Sequence, residues 1–118
     1  MGTINKVFLL GHLGADPEGG LTRNETPWCR FSLATNTKRG DETDTQWHRV
    51  AVFGKAAEVA LAYLKKGAPV HVEGRIDYRP VEGEDGTTWY TSIITRNLTL
   101  LGKKEPDPPE NQETDPPF

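Results

Sequence analysis

Trp47-His48-Arg49-Val50-Ala51-Val52-Phe53-Gly54-Lys55 is the stretch on which the reading of this chain turns. Side chains alternate across a strand, so Trp47, Arg49, Ala51 and Phe53 share one face while His48, Val50 and Val52 share the other. Two aromatics with a guanidinium between them can stack unpaired bases and neutralise a phosphate, as sequence-tolerant binding of a single strand requires. A strand of a β-sandwich that buries its Trp and Phe as core would have the same composition. The choice between these two readings rests on the rest of the chain.

Immediately before this strand, residues 28–36 alternate as cleanly: Trp28, Arg30, Ser32, Ala34 and Asn36 oppose Cys29, Phe31, Leu33 and Thr35. With Phe31 and Leu33 turned to a core, Trp28 and Arg30 point outward and are expected to join the surface of Trp47 and Phe53. Residues 3–13 read as a strand that is apolar in both parities, with Val7, Leu9 and Leu13 on one side and Phe8 and Leu10 on the other. In a domain this small, such a strand implies that a second subunit covers one side. Residues 14–27, with Asp16-Pro17 and Gly19-Gly20, and the polar residues 38–44 are expected to be loops.

Downstream the period changes. Ala56, Val59, Ala60 and Tyr63 recur at helical spacing, Lys65 and Lys66 stand where a helix dipole favours cations, and Gly67 is placed as a C-terminal cap, so residues 56–66 are predicted helical. Residues 70–78 and 88–101 return to strand around a hairpin tip at Glu82-Gly83-Glu84-Asp85-Gly86. The expected fold is mainly all-β. Five strands with one short helix between the third and fourth is the arrangement of an oligonucleotide-binding (OB) barrel, whose second and third strands form the ligand face.

The 118 residues suffice for one domain with a modest core. No apolar run approaches the ~20 residues of a membrane helix, so a soluble protein with no membrane partner is expected. The start of the chain carries no cleavable signal pattern, and a cytoplasmic, reducing location follows as the expectation. The single cysteine, Cys29, excludes an internal disulfide, and with His12, His48 and His71 it makes no metal-ligand spacing, so no metal and no cofactor are expected.

The formal net charge of −3 is concentrated at one end. Residues 103–118 hold two of the 14 basic and five of the 17 acidic side chains, leaving residues 1–102 with twelve of each. A neutral body without a dense basic run must depend on stacking more than a strongly basic binder does. The same terminal segment holds five of the nine prolines and no aliphatic residue. The chain is therefore divided into a folded domain, 1–102, and a disordered acidic tail, 103–118. Its tip, Asp115-Pro116-Pro117-Phe118, offers an apolar ring and a free carboxylate suited to a small apolar pocket rimmed by cations. A merely solubilising tail is the alternative.

Several ordered motifs resemble one family, the bacterial single-stranded DNA-binding proteins. Asn5-Lys6-Val7, Gly11-His12-Leu13-Gly14, Asp16-Pro17-Glu18 and Phe31-Ser32-Leu33-Ala34-Thr35 are similar to its first two strands. Trp47-His48-Arg49-Val50, Phe53-Gly54-Lys55-Ala56-Ala57-Glu58, Tyr63-Leu64-Lys65-Lys66-Gly67 and Glu73-Gly74-Arg75 follow in the family's order and spacing, and Pro117-Phe118 after acids is similar to its tip. The likeness spans residues 4–101. It implies a homotetramer of OB folds that wraps single-stranded DNA in replication, recombination and repair, associated with the nucleoid and without catalytic activity. It also implies a tail tip, Asp115 to Phe118, that recruits replication, recombination and repair proteins.

Carried over by position, Trp47 and Phe53 fall on stacking aromatics, Lys55 on a nearby cation, and His48 on a subunit contact, to which Val7 and Leu9 of the first strand are added. Arg49, Trp28, Arg30, Arg79 and Trp89 complete the expected nucleic-acid face. The chain departs from the family where it has Lys38-Arg39 and Arg79-Pro80-Val81 in place of two further aromatics, and Trp28, Tyr78 and Trp89 are the candidates to replace them. The tail is short and reaches at most ~50–58 Å when extended. Two rivals share the fold: a dimeric primosomal replication protein, and a nuclease using Asp41, Glu42, Asp44 and Arg49 around a metal.

Overall fold

The computed structural model describes residues 2–101. The elements run β1 (Val7–Leu13), β2 (Glu18–Leu21), β3 (Pro27–Arg39), β4 (Glu42–Phe53), α1 (Lys55–Tyr63), β5 (Pro69–Gly83) and β6 (Gly86–Leu100). Strands neighbour one another in the order β1-β5-β6-β4-β3-β2, and β1 also pairs with β3, which closes five strands into a barrel with β2 outboard. Closure needs close approach of backbones. A Cβ on Gly11 would collide with the Ala34 carbonyl oxygen, and one on Gly74, beside the bulge between β5 and β6, with that of Ile94. Only glycine admits both contacts.

The core is built from the inward parity of each strand. Cys29, Phe31 and Leu33 of β3, Val50 and Val52 of β4, and Val70 and Val72 of β5 are buried, and α1 closes the barrel with Ala57 and Ala60. Burial raises the Cys29 thiol to about 11, so it acts as a small apolar group at neutral pH. The predicted five long strands, with a helix between the third and fourth, are those of the OB barrel; β2 is additional.

Four local expectations are corrected. Residues 3–6 are not strand. Asn5 instead uses its side-chain amide as a strand would use its backbone, donating to the Ile76 carbonyl at 2.8 Å and accepting from the Ile76 amide at 2.9 Å. Within the expected loop 14–27, Glu18 to Leu21 pairs with Arg30 to Pro27 as β2. The polar stretch 38–44 continues β3 and β4 as a hairpin that turns at Gly40, whose φ of 63° is the left-handed value a tight turn requires. The helix ends at Tyr63, because the following Leu64 is extended and buried; Lys65 and Lys66 therefore lie beyond its last turn, and Gly67 caps no helix. Asp16 holds that exit by accepting from the Lys66 amide at 2.8 Å.

Candidate nucleic-acid interface

The antiparallel register of β3 and β4 sets Trp28 opposite Phe53, Arg30 opposite Ala51, Ser32 opposite Arg49 and Ala34 opposite Trp47. Because the alternate residues of both strands are core, these eight share the outer face. Trp47 is 60% exposed and Phe53 50%. They are not the buried aromatics of a sandwich strand. A groove of about 720 Å³ runs over this face, lined by Trp28, Arg30, Arg49, Ala51 and Phe53, with Glu18 at its β2 wall.

Trp47 is held in position by a missing side chain. The six-membered edge of its indole lies against Gly14, where a Cβ would come within 2.8 Å of Cη2. Trp28 is oriented differently: half-buried, it approaches Gly20 and carries the Arg30 guanidinium 5.5 Å from its ring centroid. Arg30 in turn donates from Nε and Nη2 to one oxygen of Glu18, its cross-strand neighbour, at 3.1 and 2.9 Å. Arg49 sits 4.9 Å from the centroid of Tyr90 on β6. Lys55 is exposed as the first residue of α1, directly after Phe53 and Gly54.

The β5–β6 hairpin forms an arm whose outer residues, 78–91, are all exposed. Arg79 pairs across it with Tyr90, and Pro80 with Trp89, so the two aromatics occupy opposite faces. Arg79 donates to Asp77 at 3.3 Å. Beyond their short parallel contact at Val50–Ile93 and Ala51–Ile94, β4 and β6 diverge and leave a cleft of about 340 Å³. Trp47, Arg49, Trp89 and Tyr90 all line it, and Trp89 is 63% exposed. Tyr90 and Glu18 were not among the residues singled out from sequence. Counting strand positions back from the hairpin tip would have set Tyr90 opposite Arg79; Glu18 stands in the Asp16-Pro17-Glu18 motif, but its place opposite Arg30 depends on β2, whose glycines resemble a turn.

The residues expected at a subunit contact divide by parity. Val7 and Leu9 pack against the core, whereas Phe8, 60% exposed, and Leu10 face away from it. The apolar residues of β1 that face away from the core are therefore Phe8 and Leu10. Phe8, Leu9, Leu10 and His48 line a further concavity. His48 shares a 2.9 Å hydrogen bond with the Thr35 hydroxyl, and burial lowers its pKa below the ordinary 6.5.

Of the acids considered for a metal site, Asp44 is engaged by Arg39 at 2.9 Å. Among the described residues no three His, Cys, Asp or Glu side chains are grouped to hold a metal ion. No described helix is long and apolar enough to cross a membrane. Asp115, Pro116, Pro117 and Phe118, with the rest of 103–118, lie outside the described residues.

Comparison with known proteins gives a consistent result. The single-strand binding protein family matches residues 4–101. A single-stranded DNA-binding protein of Xanthomonas campestris pv. campestris is 43% identical over 105 residues, covering 84% of this chain and 61% of that protein. One from Neisseria meningitidis serogroup A is 41% identical over 107 residues, with 85% and 61% covered. The chain thus spans about three fifths of the length of these relatives. Among solved structures, a Plasmodium falciparum SSB in complex with ssDNA superposes with a TM-score of 0.81 at 28% identity, over 86% of this chain and 98% of that one.

Proposed function

Given that this chain belongs to the single-strand binding protein family, we propose that it binds single-stranded DNA without reading its sequence, and does so by stacking bases on Trp47 and Phe53. The observation that carries this reading is the outer face of β3 and β4, where both rings are at least half exposed in one register with Arg49 between them. Each stacked base contributes about 1–3 kcal/mol, whichever base it is, since all four present a π-face. Arg49 and Lys55 supply the phosphate contacts, Trp28, Arg30 and Arg79 flank the path, and Trp89 receives the strand at the cleft beside Trp47. Binding is passive, with no bond made or broken and no cofactor.

The functional unit is a homotetramer, for which the exposed Phe8, with Leu10 and His48, supplies an apolar contact surface. Residues 1–102 form the binding domain and 103–118 a tail whose tip, Asp115-Pro116-Pro117-Phe118, recruits enzymes of replication, recombination and repair in the cytoplasm, at the nucleoid. Titration of intrinsic tryptophan fluorescence with oligo-dT and with duplex DNA tests the central claim. Strong quenching by the first and little by the second is expected, and equal response to both overturns it. Light scattering counts the subunits, and a chain ending at residue 114 that still captured the same enzymes would remove the role given to the tip.

A further inference from the structure

Two of the cations on the proposed binding face already have carboxylate partners. Arg30 is held by three interactions at once: two N–H donors on a single Glu18 oxygen and a guanidinium laid on the Trp28 ring. Arg79 and Arg75 share Asp77, each taking a different carboxylate oxygen, at 3.3 and 3.4 Å. Asp77 is only 20% exposed, so water screens it less than it would a free surface acid. Arg49 differs, resting on the Tyr90 ring rather than on a carboxylate. The equal numbers of acids and bases in residues 1–102 thus have a local counterpart, in which carboxylates stand in register beside particular arginines.

We propose that Glu18 and Asp77 are built-in counterions that stay on Arg30 and Arg79 in the DNA complex, and so fix how strongly binding depends on salt. The inference rests on the single-strand-binding reading above. An arginine that releases no ion from a phosphate adds nothing to the slope of log K against log salt, whereas each phosphate it newly neutralises on a single strand adds about 0.7. The pairs therefore remove electrostatic gain at low salt and leave stacking, which salt does not screen, to carry affinity at high salt.

The test measures the affinity of the full chain for oligo-dT across a salt series, with a thermal melt of every variant to confirm folding. Glu18→Gln frees Arg30 and is expected to steepen the slope by about 0.7, so that its advantage over the parent shrinks about 2.6-fold between about 50 and about 200 mM salt. Arg30→Gln added to Glu18→Gln removes the freed cation and is expected to restore the parent slope. Asp77→Asn gives an independent reading at the arm. Equal slopes for the parent and Glu18→Gln, or a double variant that keeps the steeper slope, overturn the proposal while leaving single-strand binding intact. Failure of the parent chain to bind oligo-dT refutes the underlying reading instead.

Discussion

Gly14→Ala is the sharpest probe of the aromatic shelf, because it disturbs Trp47 without removing it. A Cβ at residue 14 would stand 2.8 Å from Cη2 of the indole and closer still to Cζ3, and an approach under 3.0 Å forces a shift. Gly14 has no left-handed φ to protect, and its amide bond to the Ser32 carbonyl, 3.1 Å, is available to alanine. The ring must therefore give way. With 60% of Trp47 exposed, the buried two fifths of an indole-sized surface is ~100 Å², which bounds the stability loss at ~2.5 kcal/mol if the ring lifts off entirely. A displacement of about one ångström loses only a fraction of that. The lost base stack, by contrast, removes up to the full 1–3 kcal/mol of one nucleotide, roughly a five- to 150-fold weakening. Fluorescence titration with oligo-dT gives the affinity, a thermal melt gives the stability, and Trp47→Ala is measured in parallel. The double variant should bind no more weakly than Trp47→Ala, since both changes abolish one stack. Parent-like affinity for Gly14→Ala alongside a large loss for Trp47→Ala would show that the ring's position against Gly14 does not matter; full affinity in both would remove Trp47 from the site.

Three further outcomes follow from local geometry. Glu25, between β2 and β3, has a φ of 65°, which a side chain disfavours, so Glu25→Gly is expected to stabilise the domain by up to ~1 kcal/mol in denaturant melts despite the entropy cost of glycine. His48, whose folded pKa lies below 6.5 through burial, binds fewer protons folded than unfolded; stability should decline as pH falls below about 6.5 and level off below the folded pKa, a decline that His48→Gln removes in melts across pH. Glu73 is held below its ordinary 4.5 chiefly by the Asn97 side-chain hydrogen bond, with Lys6 beside it, so its contribution is complete above 4.5 and disappears as pH falls through the folded value; Asn97→Ala should diminish that acid-range loss.

What the sequence disclosed depended on whether a strand has one buried face. Residues 28–36 and 47–53 could be assigned to faces because Phe31, Leu33, Val50 and Val52 needed the core and left their neighbours outside. The hairpin at residues 38–44 has no buried face, so its strands lack alternation, and it is supported instead by pairs such as Thr45 donating to Asn36 at 2.7 Å and Arg39 on Asp44. β2 was obscured by glycines that resemble a turn. Gly19 is required because a Cβ there would meet the Leu61 side chain and the Trp28 carbonyl, a contact between elements remote in sequence. Which side of β1 meets its own core was hidden for a related reason: a strand apolar on both sides does not announce it, and Val7 and Leu9 prove to be the pair packed against the core. On the arm, Trp89 and Arg79 stood out by type, but the Arg49–Tyr90 contact, between residues 41 apart in sequence, arises only when β4 and β6 come together as parallel neighbours.

The spacing of the two principal rings constrains how a strand can lie on them. Trp47 and Phe53 are six residues apart on one strand, about 20 Å at ~3.3 Å per residue, whereas stacked bases on one strand are only ~3.4 Å apart. One base cannot bridge the rings, and neither can two neighbouring bases in a stacked run. On the proposed reading, separate nucleotides stack on Trp47 and on Phe53, with the strand passing Arg49 between them. Each ring then acts alone, so the losses in Trp47→Ala and Phe53→Ala should add to within ~0.5 kcal/mol in the double variant, as expected for sites farther apart than ~10 Å with no shared partner. Oligo-dT length provides the second axis of the same measurement. An oligomer too short to span both rings should tolerate the first substitution by moving to the remaining ring and lose affinity only with the second, while a long one should feel both. A double variant far from additive on long oligomers would mean that the rings share a nucleotide run, and the path over Arg49 would have to be abandoned.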